Sequence, residues 1–298
     1  MTAQGWTTDA PLTVARGGLA SAAVGQRIYA IGGNKSASED AMLDSVEERH
    51  PGTGKWTTVA PMQLARQNPG AAPVAGRIYV FGGYGPMGEI TDQVEVFDPS
   101  ANHWERVRDL PTPLGGPGVA VHNGRIFIVG GANPQGNGGF VHIYDPSSDR
   151  YDSGQPMPTA RSLLKAIELA GRVYAIGGAQ GGPPFLDTVE RYDPGSNTWT
   201  AVASMNTGRG NPGVAIVKGK IVVVGGAGST VTAHGPLATS EEYDPGADRW
   251  DPLPAQLPVA RASLCAELAE GNRVIAIAGF EKGSAGSIAS RRVESLKL

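Results

Sequence analysis

Apolar runs that end in a Gly-Gly pair recur along this chain at a nearly constant step. The pairs are Gly32-Gly33, Gly82-Gly83, Gly130-Gly131, Gly177-Gly178 and Gly225-Gly226, with a degenerate sixth copy at Ala278-Gly279. Their first members lie 50, 48, 47, 48 and 53 residues apart. A fixed step of this length means one supersecondary unit used repeatedly, which overrides any domain count taken from the 298 residues alone. Each run is built from β-branched and aromatic residues, as in Ile28-Tyr29-Ala30-Ile31 and Ile78-Tyr79-Val80-Phe81. That composition suits a strand packed on both faces.

Two further markers keep the same step. Trp6, Trp56, Trp104, Tyr151, Trp199 and Trp250 follow one another at 50, 48, 47, 48 and 51 residues. Strands ending in Asp-Pro stand between the glycine and aromatic markers, as in Val94-Glu95-Val96-Phe97-Asp98-Pro99 and Val189-Glu190-Arg191-Tyr192-Asp193-Pro194. Asp-Pro starts a tight turn because proline presets φ and the aspartate bonds the turn backbone. Each unit reads as four strands: a after an arginine, b up to Gly-Gly, c up to Asp-Pro, and d with the tryptophan. No helical period interrupts them. Six such units predict an all-β fold, a six-bladed β-propeller with four antiparallel strands per blade. The Gly-Gly pairs, the tyrosine before them, Val-Glu-x-Tyr-Asp-Pro and the tryptophan together resemble the repeat of the kelch family. The resemblance covers essentially the whole chain, from Trp6 to Leu298.

The two ends fit one ring. Trp6 occupies a strand-d position with no a, b or c before it, whereas the last copy supplies a, b and c between Ala262 and Leu298. The N-terminal strand is therefore expected to complete the sixth blade and leave no open sheet edge. Blade 1 then spans residues 12–60, and residues 1–298 read as a single propeller domain without linkers.

Charge and cysteine content narrow the function classes. A net charge of −3 supplies no basic footprint for nucleic acid or an anionic membrane. The lone Cys265 excludes an internal disulfide framework and a multi-cysteine zinc site. No apolar run reaches the ~18 residues of a membrane span, and the start, Met1 to Trp6, lacks the basic and apolar regions of a signal peptide. A cytoplasmic location is expected. The likeness to kelch copper oxidases stops at the fold, because His50, His103, His122, His142 and His234 are scattered over the blades. Nor does the run Asp40, Asp44 and Glu48 reproduce the iron motif of kelch specifier proteins. Neither metal nor other cofactor is expected. No BTB domain or other oligomerisation domain is read before the propeller, so a ubiquitin-ligase adaptor role of the familiar kind would lack its other half; the oligomeric state stays open, a monomer included.

Up-and-down strands place the short a–b turns and the c–d turns on one face, and the longer b–c and the d–a loops on the other. The b–c loops, residues 34–43, 84–91, 132–139, 179–186, 227–239 and 280–291, differ from blade to blade, and loop variation on a rigid frame is how propellers acquire function. In kelch proteins this face often binds peptides or small ligands. The candidate ligand-binding residues there include Tyr84 and Phe280. A cation five residues before each glycine pair (Arg27, Arg77, Arg125, Arg172, Lys220 and Arg273) reads as scaffold beside the Asp-Pro turns. Arg16, Arg66, Arg161, Arg209 and Arg261 stand at the d–a position, with Leu114 in blade 3; Glu47, Glu95, Glu190, Glu241 and Glu294 stand on strand c, with His142 in blade 3. The blade that loses the arginine also loses the glutamate, so the pair reads as structural. Arg66, Arg161 and Arg209 remain candidate anchors for a carboxylate or phosphate. Positions one and two past the arginine add Gln67, Asn68, Ser162, Asn211 and Ser263, among glycines expected to widen the mouth.

Departures inside the repeat point further. Lys165 breaks a strand-a position otherwise held by Ala20, Gly70, Gly118, Gly213 and Cys265; Glu168 and Glu267 break apolar positions. A lysine and a glutamate in a partly desolvated tunnel have pKa values moved toward neutrality and suit proton transfer. Two readings follow. The first is a binding module that presents the b–c/d–a loop face and tunnel mouth to a protein loop or to a small polar or anionic molecule. The alternative, similar in type to kelch sialic-acid mutarotases, is a cofactor-free isomerase, mutarotase or cyclase. It would use Lys165 as base or charge stabiliser and Glu267 or Glu168 as proton shuttle.

Overall fold

The computed structural model describes residues 5–36, 41–229, 234–284 and 286–298. Asp40 lies outside them. Among the described residues the strands form six four-stranded antiparallel sheets, each in the order a-b-c-d from the axis outward. In blade 1, a is Ala20–Val24, b Arg27–Ile31, c Val46–Arg49 and d Trp56–Val59. The a strands of blades 2 to 6 are Gly70–Val74, Gly118–His122, Lys165–Leu169, Gly213–Val217 and Cys265–Ala269. The expected closure is present: Thr7 pairs opposite Ser295 and Thr8 opposite Glu294, so the N-terminal strand is the outer edge of blade 6. Small two-stranded ribbons also fold within the b–c loops, including Phe280–Gly283 with Gly286–Ala289 in blade 6. The repeat markers gave no hint of these.

The apolar core is divided among the joints between blades. Tyr29, Ile31 and Val46 of blade 1 pack with Ile78, Val80 and Phe97 of blade 2, and equivalent clusters fill the other joints. The spacing of the tryptophans has two causes. Trp104 stacks on Phe97 within its own blade at 5.0 Å and donates its indole N–H to the Ala60 carbonyl of the preceding blade at 2.8 Å. Trp199 and Trp250 repeat both contacts. One side chain thus buries apolar surface and ties neighbouring blades together.

The Gly-Gly pairs end strand b in a turn with φ of 60° and 99° at Gly32 and Gly33, repeated closely in each copy. A Cβ on Gly33 would lie 2.8 Å from the Gly17 carbonyl oxygen, so the second position admits no side chain. The cations before the pairs do act as scaffold. Arg77, Arg172 and Lys220 reach the Asp-Pro carboxylates of Asp98, Asp193 and Asp244, while Arg27, Arg125 and Arg273 take Glu48, Asp152 and Asp9.

Candidate functional site

The arginines after strand d are inside the blades. Arg16, Arg66, Arg161, Arg209 and Arg261 have no exposed surface. Each donates to the carbonyl of the first residue of its own blade's glycine pair and to the strand-c glutamate of that blade. In blade 1 the Arg16–Glu47 distance is 2.8 Å, and Glu47 also accepts the backbone N–H groups of Thr13 and Val14 at 2.7 and 3.1 Å. The pair therefore locks the d–a loop to the Gly-Gly turn. Burial pulls the guanidinium pKa values down, and the facing glutamates oppose that shift. In blade 3 the apolar Leu114 and the buried His142 fill the same two positions, and His142 stacks on Phe140. Arg66, Arg161 and Arg209 are accordingly corrected from ligand anchors to internal braces: a guanidinium with no exposed surface and all-protein partners cannot meet a ligand.

The position two past each arginine has a common conformation. Gly18, Asn68, Gly116, Leu163, Asn211 and Ser263 all take positive φ, between 47° and 63°. Their backbones join in a belt around the axis. Gly18 N–H donates to Ser263 O, Asn68 to Gly18, Gly116 to Asn68, Leu163 to Gly116 and Asn211 to Leu163, at 2.6–3.0 Å. Asn68 and Asn211 belong to opposite blades, and the Asn211 amide Nδ2 donates across the axis to Asn68 Oδ1 at 2.7 Å. The central channel is therefore shut at the loop face, which corrects the expectation of a tunnel mouth there. Asn68 and Asn211 form that lid.

The glycines one past the arginine do not widen the mouth either. A Cβ on Gly115 would lie 2.4 Å from the Tyr84 ring, one on Gly17 2.5 Å from Phe280, and one on Gly210 2.4 Å from Phe185. Each aromatic ring comes from the preceding blade and lies flat on the glycine, so three such contacts alternate around the six blades. Gln67 and Ser162 pair by backbone with the residues after Gly-Gly, Tyr84 and Ala179. Tyr84 and Phe280 are half-buried as a result. Phe185 completes this set, and its signal was a glycine in the following blade.

Below the lid lies a cavity of about 330 Å³ lined by the strand-a residues. Its wall runs from Pro69 and Pro117, next to the belt, to Ala23, Pro73, Val121 and Glu168 at the hairpin face. Lys165 and Glu267 both line it, from blades 4 and 6. Glu267 Oε1 accepts the Ser21 hydroxyl at 2.6 Å. Burial pushes the Glu267 pKa up to about 7, against the opposing pull of the Ser21 hydrogen bond and the Lys165 charge. Ser21 escaped the sequence reading, although it breaks a position held by Ala71, Val119, Ala166, Val214 and Ala266. Cys265 is buried, donates to the Leu19 carbonyl at 3.2 Å, and has its thiol pKa raised by burial, as packing rather than nucleophilic duty requires. Glu168 is set apart from the other two: its carboxylate caps the a–b turn by accepting the Gly171 N–H at 2.6 Å and stands 3.7 Å from His122 at the rim. Lys165 and Glu267 thus share one chamber, but it is walled off from the loop face where acid–base chemistry was expected.

Comparison with known proteins fits this geometry. Residues 15–63, 65–111, 160–206 and 208–255 match one Kelch motif model, and residues 113–158 match a second. F-box/kelch-repeat protein At1g16250 of Arabidopsis thaliana is 46% identical over 67 residues, 22% of this chain and 17% of that protein. Kelch-like protein 11 of Homo sapiens is 38% identical over 71 residues, 24% of this chain and 10% of that protein. The chain thus spans less than a fifth of the length of these curated relatives. The solved structure of YjhT superposes with a TM-score of 0.82 over 97% of both chains at 18% identity, a likeness of fold. With the motif matched repeat after repeat over most of its length, the chain belongs to the kelch-repeat family.

Proposed function

We propose that this propeller is a binding module that docks a protein partner on the face made by its b–c and d–a loops. Kelch-repeat proteins commonly bind protein partners, and exposed apolar side chains on this face support the same use here. The observation that carries the reading is apolar exposure on that face: Met87, 84% exposed at the tip of the blade 2 loop, and Ile288, 57% exposed on the blade 6 ribbon. Methionine and aromatic side chains are enriched where proteins meet. Met87 is held up by an ordered turn, in which its N–H donates to Glu89 Oε2 at 2.9 Å and Gly88 N–H to Gly85 O at 2.9 Å. The half-buried Tyr84 and Phe280 lie at the base of the same two loops. Asn68 and Asn211 bond to each other across the axis at the centre of this face.

The test is affinity capture of cross-linked partners by three proteins: the wild type, a Met87→Glu/Ile288→Glu variant, and Lys218→Glu as a control on the opposite hairpin face. A partner retained by wild type and Lys218→Glu, and lost from the double variant, supports the reading. A partner retained by the double variant and lost from Lys218→Glu moves the interface to the other face.

A further inference from the structure

We propose that the central channel is a second site, separate from the loop face, that takes a small zwitterion of amino-acid size entering from the hairpin face. The argument starts from the wall of the cavity. Apart from Ser21, Lys165, Glu168, Cys265 and Glu267, its lining is Ala, Gly, Pro, Val and Ile. Two of these polar residues carry opposite charges into the chamber from blades 4 and 6. Among the described residues neither makes an ion pair within 4.0 Å, and the Lys165 ammonium has no hydrogen-bond acceptor. Glu267 accepts the Ser21 hydroxyl at one oxygen, Oε1, and lines the cavity wall.

Strand-a geometry explains why such an arrangement points to a ligand. At the Lys165 position the other blades hold Ala, Gly or Cys, and at the Glu267 position Ala or Ile, so the ring closes equally well without either charge. Charges held in apolar surroundings are costly unless paired. Here the two line one cavity without forming an ion pair within 4.0 Å, and the Lys165 charge is felt at Glu267 across it. A molecule with a carboxylate for Lys165 and an ammonium group for Glu267 pairs both while adding no net charge. The cavity volume, about 330 Å³, is at the small end of the range for ligand sites. Access is set by the belt. The lid of Asn68 and Asn211 bars the loop face, so the ligand passes the rim at Ala23, Pro73 and Val121, where His122 and Glu168 stand together.

The site also has a pH signature. Only ionised Glu267 holds an ammonium group, and its pKa is about 7 in the unliganded protein. Lys165 and Cys265 are the titratable groups that face it, with Ser21 on the adjoining strand of blade 1 and no charged residue on strand a of blade 5. If the ligand binds only the ionised form, affinity is weaker by about tenfold at pH 6 than at pH 8.

The experiment is calorimetric titration and thermal unfolding with glycine, β-alanine and 4-aminobutyrate as probes, with propionate and propylamine as single-charge controls. At least one zwitterion is expected to bind and raise the melting temperature, more strongly at pH 8 than at pH 6. Lys165→Ala and Glu267→Ala, which restore residues that other blades carry, are expected to fold and to lose that binding. The Met87→Glu/Ile288→Glu variant is expected to keep it, so failure here and failure of the loop-face reading are separate results. The proposal is overturned if no zwitterion binds wild type. Binding that survives both alanine variants, or propionate binding as tightly as the zwitterions, overturns it as well.

Discussion

Replacing Arg66 by leucine removes three donated bonds at once: to Gly82 O at 3.1 Å, to Gln93 O at 2.8 Å and to the Glu95 carboxylate. Neither Arg66 nor Glu95 has any exposed surface, so Glu95 would keep its charge inside the blade with only the Gln63 and Leu64 N–H groups, at 2.7 and 3.3 Å, to hold it. Breaking a buried pair by removing one partner costs about 3–5 kcal/mol, because the other charge is left uncompensated. Arg66→Leu is expected to lose that much in urea unfolding. Blade 3 shows the repair, since Leu114 and His142 occupy the same two positions there with both buried. Adding Glu95→His to Arg66→Leu removes the stranded charge, at a residual cost from the two backbone N–H groups that lose their acceptor. The double variant should therefore fall short of the summed single effects by about 2 kcal/mol or more, near the upper part of the range for residues in contact. The reasoning is refuted if Arg66→Leu costs less than about 1 kcal/mol, the size of an ordinary exposed pair. Strict additivity of the two single variants refutes it too.

Two shorter predictions rest on other parts of the ring. Gly115→Val places atoms within 2.4 Å of the Tyr84 ring and should cost about 1–3 kcal/mol as overpacking, with part recovered by Tyr84→Ala; equal stability of Gly115→Val and wild type by denaturant unfolding would show that the ring does not rest on the glycine. Glu267 binds its proton more tightly in the folded than in the unfolded chain, so its contribution is present at acid pH and is lost as pH rises from the usual glutamate range through about 7. The melting temperature of wild type relative to Glu267→Gln should fall over that window and level off above it, and a pH-independent difference contradicts the assignment.

The architecture was legible because its markers are intramolecular duplicates. Glycine pairs, tryptophans and Asp-Pro turns each serve one local geometry in every blade, so comparing the copies exposes the strand order and even the closure by Trp6 to Thr8. The Arg–Glu brace was legible for the same reason: blade 3 lost both members together. The channel lid was not, since Asn68 and Asn211 meet across the axis from opposite blades, 143 residues apart in sequence. Each blade shows only its own copy, and a contact between two copies of the same position in opposite blades leaves no trace in the repeat. The aromatic rings on Gly17, Gly115 and Gly210 lie between these extremes. Their signal is a glycine in one blade matched to an aromatic residue in the blade before, a relation visible only once the order of blades around the ring is known. Lys165 and Glu267 were found as departures from the repeat, but their side of the lid depends on the contact the sequence hides.

The division of the molecule into two separate binding surfaces is tested most directly by amide chemical shifts during titration with β-alanine. The account predicts that shifts are confined to strand-a amides around Ser21, Lys165 and Glu267, with Met87 and Ile288 unmoved. Shifts on the b–c loops with strand a silent would contradict it.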